Sequence, residues 1–178
     1  MSARALHLLG SPVLRERAAE VGAPDADVAT LVHDLFDTMQ AAQGIGLAAN
    51  QVGVTRRVAI VDTGDGDAIV LIDPVIVERH GQDRAEEGCL SIPDLYGDLD
   101  RATRIVVETT QLTGERVRVE AVDLRARAVQ HEIDHLDGVL FIDHLSPLKR
   151  RMLLKKWQKM RKGASGFLKE PAPAPVRE

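Results

Sequence analysis

The sequence predicts an α+β fold: antiparallel or mixed β-sheets around a central helix with metal-ligand spacing, one helix before it and a basic helix after it. Three observations predict this. Residues 25–43 repeat apolar side chains at helical spacing, and short β-rich runs between 57 and 122 are joined by tight turns rather than crossover helices. The run His-Glu-Ile-Asp-His at 131–135 sets two imidazoles four residues apart, on one face of a helix. Helices segregated from hairpin-built sheet define the α+β class.

The elements follow in order. In 25–43, Val28, Leu31, Val32, Leu35, Phe36 and Met39 obey the i, i+3, i+4 rule. Asp25 or Asp27 can cap its start, and Gly44 is the natural left-handed stop. Strands are expected at 57–62, 68–72, 75–78, 104–110 and 116–122. Gly64 and Gly66 mark one hairpin turn, and Thr113, Gly114 and Glu115 another. Residues 81–100 read as an irregular loop with Cys89 in its middle. A second helix runs from 124 to 136 and ends at Gly138, with Ala126, Ala128, Val129 and Ile133 as its packing side. A third, basic helix covers about 147–162. Alternating prolines at 171, 173 and 175 exclude helix and sheet there. The expected organisation is one catalytic domain at 1–148, a basic C-terminal helix at 149–163 and a disordered tail at 164–178.

At 178 residues and 44% hydrophobic, the chain can bury one core. Aromatics at 3% argue against a base-stacking platform for single-stranded nucleic acid. A single cysteine cannot form an internal disulfide, and no stretch approaches the roughly 18 apolar residues of a membrane span. The N-terminus shows no apolar leader, so a soluble cytoplasmic protein without membrane partners is expected. Eight basic and no acidic residues lie between 149 and 162 in a chain of net charge −4, so residues 1–148 carry −12. That asymmetry allows two readings: a solvated helix face packed through Leu153, Leu154 and Trp157, or a contact with a polyanion.

Three segments carry chemistry. An HExxH run alone can be a surface helix facing water, but here it stands on an amphipathic segment closed by Gly138. A lone cysteine is commonly a small buried hydrophobe; Cys89 instead lies between Gly88 and Ser91 outside any apolar periodic segment. Two histidines and one thiolate would leave a metal with an open position, whereas a structural zinc site closes with four protein ligands. The run 44–51, Gly-Ile-Gly-Leu-Ala-Ala-Asn-Gln, lets a ligand backbone approach its glycines, and Gln51 can donate to a developing oxyanion. It lacks the phosphate-loop lysine, so no nucleotide cofactor is expected.

Together these segments resemble the peptide deformylase family. Its three motifs occur in order as GIGLAANQ (44–51), EGCLS (87–91) and HEIDHLDG (131–138). Residues 10–15 and 141–149 are similar to the family's flanking stretches, so the likeness spans all but the far C-terminus. It implies removal of the formyl group from the N-terminal formyl-methionine of nascent bacterial polypeptides, releasing formate, and makes ribosomal RNA the polyanion that the basic helix would contact. It further implies one divalent metal ion per chain held by Cys89, His131 and His135. Fe²⁺ is the expected ion, and Zn²⁺, Ni²⁺ or Co²⁺ fit the same ligands. Glu132 would be general base and then general acid, with the oxyanion held by the metal, Gln51 and the Leu90 N–H. The peptide would lie extended along Ile45 and Gly46, its methionine side chain near Leu124 and Ala128.

Two positions depart from the family's pattern. Arg127 stands where many relatives have an aliphatic residue, and is expected to send its charge to solvent while its stem covers apolar surface. Tyr96 stands where several have a substrate-contacting arginine. Two competing readings are a zinc endopeptidase, disfavoured because Cys89 lies upstream and His144 too close downstream, and a ribosome-binding module without activity, disfavoured because the whole reactive set is retained.

Overall fold

The computed structural model describes residues 2–172. Strand β1 (Leu6–His7) leads to helix α1 (Ala26–Ala41) and to strands β2 (Gly46–Ala48), β3 (Val58–Val61), β4 (Ile69–Ile72), β5 (Val75–His80), β6 (Asp83–Cys89), β7 (Ile92–Arg101), β8 (Arg104–Thr110) and β9 (Arg116–Val122). Helix α2 (Asp123–Leu136), helix α3 (Pro147–Met160) and strand β10 (Leu168–Lys169) complete it. The architecture is α+β, and every sheet is antiparallel: β2-β3-β4, β5-β8-β9, β6-β7 and β1-β10.

The core divides at β3, whose four residues are all buried. Val58 and Ile60 join Val28, Leu31, Val32, Leu35 and Met39 of α1, while Ala59 and Val61 join Ala126, Val129, Ile133 and Leu136 of α2. Period-two alternation thus places one strand between two helices. A third cluster forms where Ile92, Leu95 and Leu99 of β7 meet Trp157 of α3 and, just before that helix, Phe141 and Leu145.

Asp25 is the cap of α1: its Oδ1 accepts from the Val28 N–H at 2.9 Å. The left-handed residue after α1 is Gln43 (φ +56°), not Gly44. Gly44 is bare for another reason, since a Cβ there would come within 2.6 Å of Leu90 Cδ1.

The irregular loop expected at 81–100 is instead the β6–β7 hairpin, with a register shift between Gly88 and Cys89. Its charged, glycine-bearing sequence hides the strands; Leu95, Leu99 and Arg101 alternate inward only after the left-handed Asp94 (φ +64°) resets the phase. The tail expected from 164 also differs. Leu168 and Lys169 pair with His7 and Leu6, tying the end of the described chain to its beginning, and residues 173–178 lie outside the described residues. Ser146 caps α3 by accepting from the Lys149 N–H, and Trp157 is buried, donating from Nε1 to the Leu9 carbonyl at 3.2 Å. No helix among the described residues is long and apolar enough to cross a membrane.

Candidate metal centre and substrate cleft

Helix α2 is buried on nearly every side although its sequence is rich in charge, because its polar residues meet built partners. Gln130 grips Ala102 through both its N–H and its carbonyl, at 3.0 and 2.9 Å. This fixes the helix rotation, so that His131 and His135 face Cys89 at the end of β6. The three ligand atoms lie within 4.8 Å of one another, with His135 Nε2 at 3.3 Å from Cys89 Sγ and 3.2 Å from His131 Nε2. Tetrahedral bonds of about 2.0–2.3 Å set neighbouring ligand atoms roughly 3.3–3.7 Å apart, so the spacing suits a single small cation.

Protonation behaviour agrees. His131 Nδ1 lies 2.8 Å from Glu87 Oε1, which leaves Nε2 as the lone-pair atom toward Cys89. Burial opposes a charge on His131, yet Cys89 and Glu87 outweigh it and raise its pKa well above the ordinary value. Burial, and then His131, push His135 well below. The pocket thus favours one positive charge among its three donors, the place a bound cation takes from a proton.

Glu132 lies beside this cluster, 4% exposed, with Oε2 lacking any hydrogen-bond partner among the described residues. Burial pushes its carboxyl up to about 7. It fits only because residue 46 is glycine: a Cβ there would fall 2.5 Å from Glu132 Oε1. Across the cleft, Gln51 Oε1 accepts from the Ala48 N–H at 3.0 Å, turning Nε2 toward Ser91 Oγ at 3.1 Å and Cys89 Sγ at 3.7 Å.

A cleft of about 580 Å³ touches Ile45, Gly46, Leu124 and Ala128 together with Gln51, Cys89, Leu90, His131 and Glu132. All the expected substrate, reactive and ligand positions therefore meet there except His135, which does not line the cleft. Ile45 and Leu124 are exposed at its rim, whereas Ala128 is buried. Tyr96 stands exposed against Gly88.

Arg127 does not send its charge to solvent. It is buried, donating to Glu87 Oε2 at 2.8 Å and to the Leu99 and Asp83 carbonyls at 3.2 and 2.9 Å. Its anchor, Glu87, also accepts from Arg101 at 2.8 and 3.0 Å, and Arg101 reaches Asp134, the partner of His144. Burial would raise Glu87, but the hydrogen bonds from His131 and Arg101 outweigh it and hold the carboxyl at about 2. Sequence reasoning assigned no role to Glu87. The signal was its position two residues before Cys89 in the same short motif; Arg101 gave none until the hairpin register was known.

A helix-borne histidine pair, an upstream thiol and a buried carboxyl beside an open cleft define a metallohydrolase centre. A family model described as polypeptide deformylase matches residues 3–151. The peptide deformylase of Alkalilimnicola ehrlichii is 49% identical over 152 residues, 84% of this chain and 85% of the relative. That of Rhizobium meliloti is 45% identical over 168 residues, covering 91% and 96%. Among solved structures, a Legionella pneumophila peptide deformylase superposes with a TM-score of 0.85 at 40% identity, covering 90% and 96% of the two chains. That of Ehrlichia chaffeensis in complex with actinonin gives 0.87 at 34% identity, covering 93% and 100%. The chain belongs to the polypeptide deformylase family, enzymes that remove the N-terminal formyl group from nascent polypeptides.

Proposed function

We propose that this chain deformylates N-formyl-methionyl nascent peptides in the cytoplasm with Glu132 as the proton shuttle and Cys89, His131 and His135 as the metal ligands, Fe²⁺ being the native ion. Zn²⁺, Ni²⁺ or Co²⁺ fit the same nitrogen and sulfur donors. When bound, the cation supplies Lewis acidity, lowering the pKa of water and polarising the formyl carbonyl. The observation that carries the reading is Glu132 Oε2, a buried carboxyl oxygen without a partner among the described residues, beside a converged Cys-His-His set.

Substrate alignment follows from the sheet. Strand β2 is the edge of β2-β3-β4, bonded to β3 on one side only, and Ile45 immediately precedes it. An extended peptide adding to that edge runs its backbone along Ile45 and Gly46 and lays the methionine side chain against Leu124 and Ala128. Gln51 Nε2 and the Leu90 N–H stabilise the oxyanion that develops on the formyl oxygen. Glu132 takes the proton of the attacking water and delivers it to the departing amine nitrogen; the formyl C–N bond breaks, leaving formate and a free N-terminus. A carboxyl held near 7 is matched to both halves of that task.

The test is formate release from a formyl-methionyl peptide by anaerobically purified protein whose metal is identified by elemental analysis. Internal cleavage of an unformylated peptide without formate would establish the endopeptidase instead, and no activity in metal-loaded protein would establish the inactive module. For the basic helix we propose ribosomal RNA as partner, supported by Arg151, Lys155, Lys156 and Lys159, all exposed on α3. Reversing those four charges should abolish salt-sensitive co-sedimentation with ribosomes; unchanged association overturns it.

A further inference from the structure

The substrate cleft does not end at its rim. A second groove, of about 290 Å³, is lined by Leu8, Pro93, Trp157, Met160, Arg161, Leu168 and Lys169, and it shares Pro93 and Lys169 with the cleft. We infer that this groove is a distal peptide subsite, taking the part of the formylated chain several residues downstream of the methionine, and preferring an apolar side chain next to an acidic one. The inference rests on the deformylase reading and extends it.

Three features carry it. The first is continuity: both cavities open on the same two side chains, so a chain leaving the cleft past Pro93 and Lys169 enters the groove directly. The second is chemistry. Met160 and Leu168 are exposed apolar walls over the buried Trp157, an apolar surface set beside cations. Of the positively charged residues lining the cleft, Arg127 is spent on Glu87, whereas Lys169 makes no ion pair among the described residues. Arg161, lying 5.6 Å over the Trp157 ring, adds a second cation. The third is backbone: among the described residues β10 is bonded to β1 alone, an edge strand of the kind an extended chain can follow. The β1–β10 pairing places Lys169 here, although it is 80 residues from Cys89 in sequence.

The test uses the metal-loaded full chain and three substrates: formyl-Met-Ala and two peptides of about eight residues, long enough to span roughly 25 Å extended. One long peptide carries Leu and Asp beyond its third residue, the other Gly and Lys. The wild type should favour the Leu/Asp peptide in kcat/KM by about fivefold, the scale of one exposed ion pair with modest apolar burial. Lys169→Glu should erase or invert that ratio, and Met160→Asp, which leaves β10 untouched, should reduce it. Equal kcat/KM for the two long peptides, or a ratio that survives both substitutions, overturns the subsite. Absence of formate from all three, formyl-Met-Ala included, overturns the deformylase reading and the subsite with it.

Discussion

Glu132 and Gly46 depend on each other. The carboxyl occupies the volume that a side chain at 46 would fill, so Gly46→Ala should displace Glu132 while leaving the strand intact. A shift of this size lowers kcat by about a hundredfold with little change in thermal midpoint, measured by formate release and circular dichroism; full activity would show that Glu132 tolerates displacement. Glu132→Gln keeps the volume and removes the proposed proton function. It should retain the metal by elemental analysis and lose about 10²–10⁴ in kcat. The HExxH spacing and the Gly-Ile-Gly run were both readable in the sequence. Their contact was not, because 86 residues separate Gly46 from Glu132 and only the packing of β2 on α2 brings them together.

At the scale of elements, the β6–β7 hairpin and α2 are riveted by one buried carboxylate between two guanidinium groups and an imidazole. Glu87→Gln leaves Arg127 buried without its counter-charge, Arg101 with Asp134 alone, and His131 without a charged acceptor. The expected losses are about 3–5 kcal/mol in unfolding free energy and about 10–100-fold in metal affinity, read by denaturant titration and chelator competition. An unchanged affinity would reduce Glu87 to a packing role. A smaller rivet tests pH dependence. Burial works against Asp143, yet Arg15 and the Leu140 N–H outweigh it and lower its pKa below the ordinary 3.8. A folded value below the unfolded one adds stability above pH 3.8 and loses it as pH falls through the folded value. The stability gap between wild type and Asp143→Asn should therefore narrow on acidification below pH 4; a gap constant with pH would deny the linkage. Helix α1 was legible down to its cap because its signals are local. The hairpin was not, because its inward charges are stabilised by partners from α2 that no local pattern reveals.

For the whole molecule, the N- and C-terminal segments close on one another. Trp157 lies in the third core cluster and β10 pairs with β1, so α3 is structural as well as basic. Deleting everything after Ser146 should cost at least the roughly 3–5 kcal/mol of a buried large aromatic, lowering the midpoint of the whole transition. Charge reversal on the exposed face of α3 should leave that midpoint unchanged. By itself, the sequence determined the fold class and the family and named residues that meet at the cleft, because ligand spacing on a helix, glycine-bearing motifs and amphipathic periods are encoded within a few residues of one another. Only the tertiary structure decided what the charged residues do. Arg127 turned inward, Glu87 became the support of His131, and Lys169 reached the rim of the cleft. The energy of a buried charge is set by the partners that surround it, and here those partners come from strands and helices far apart in the chain.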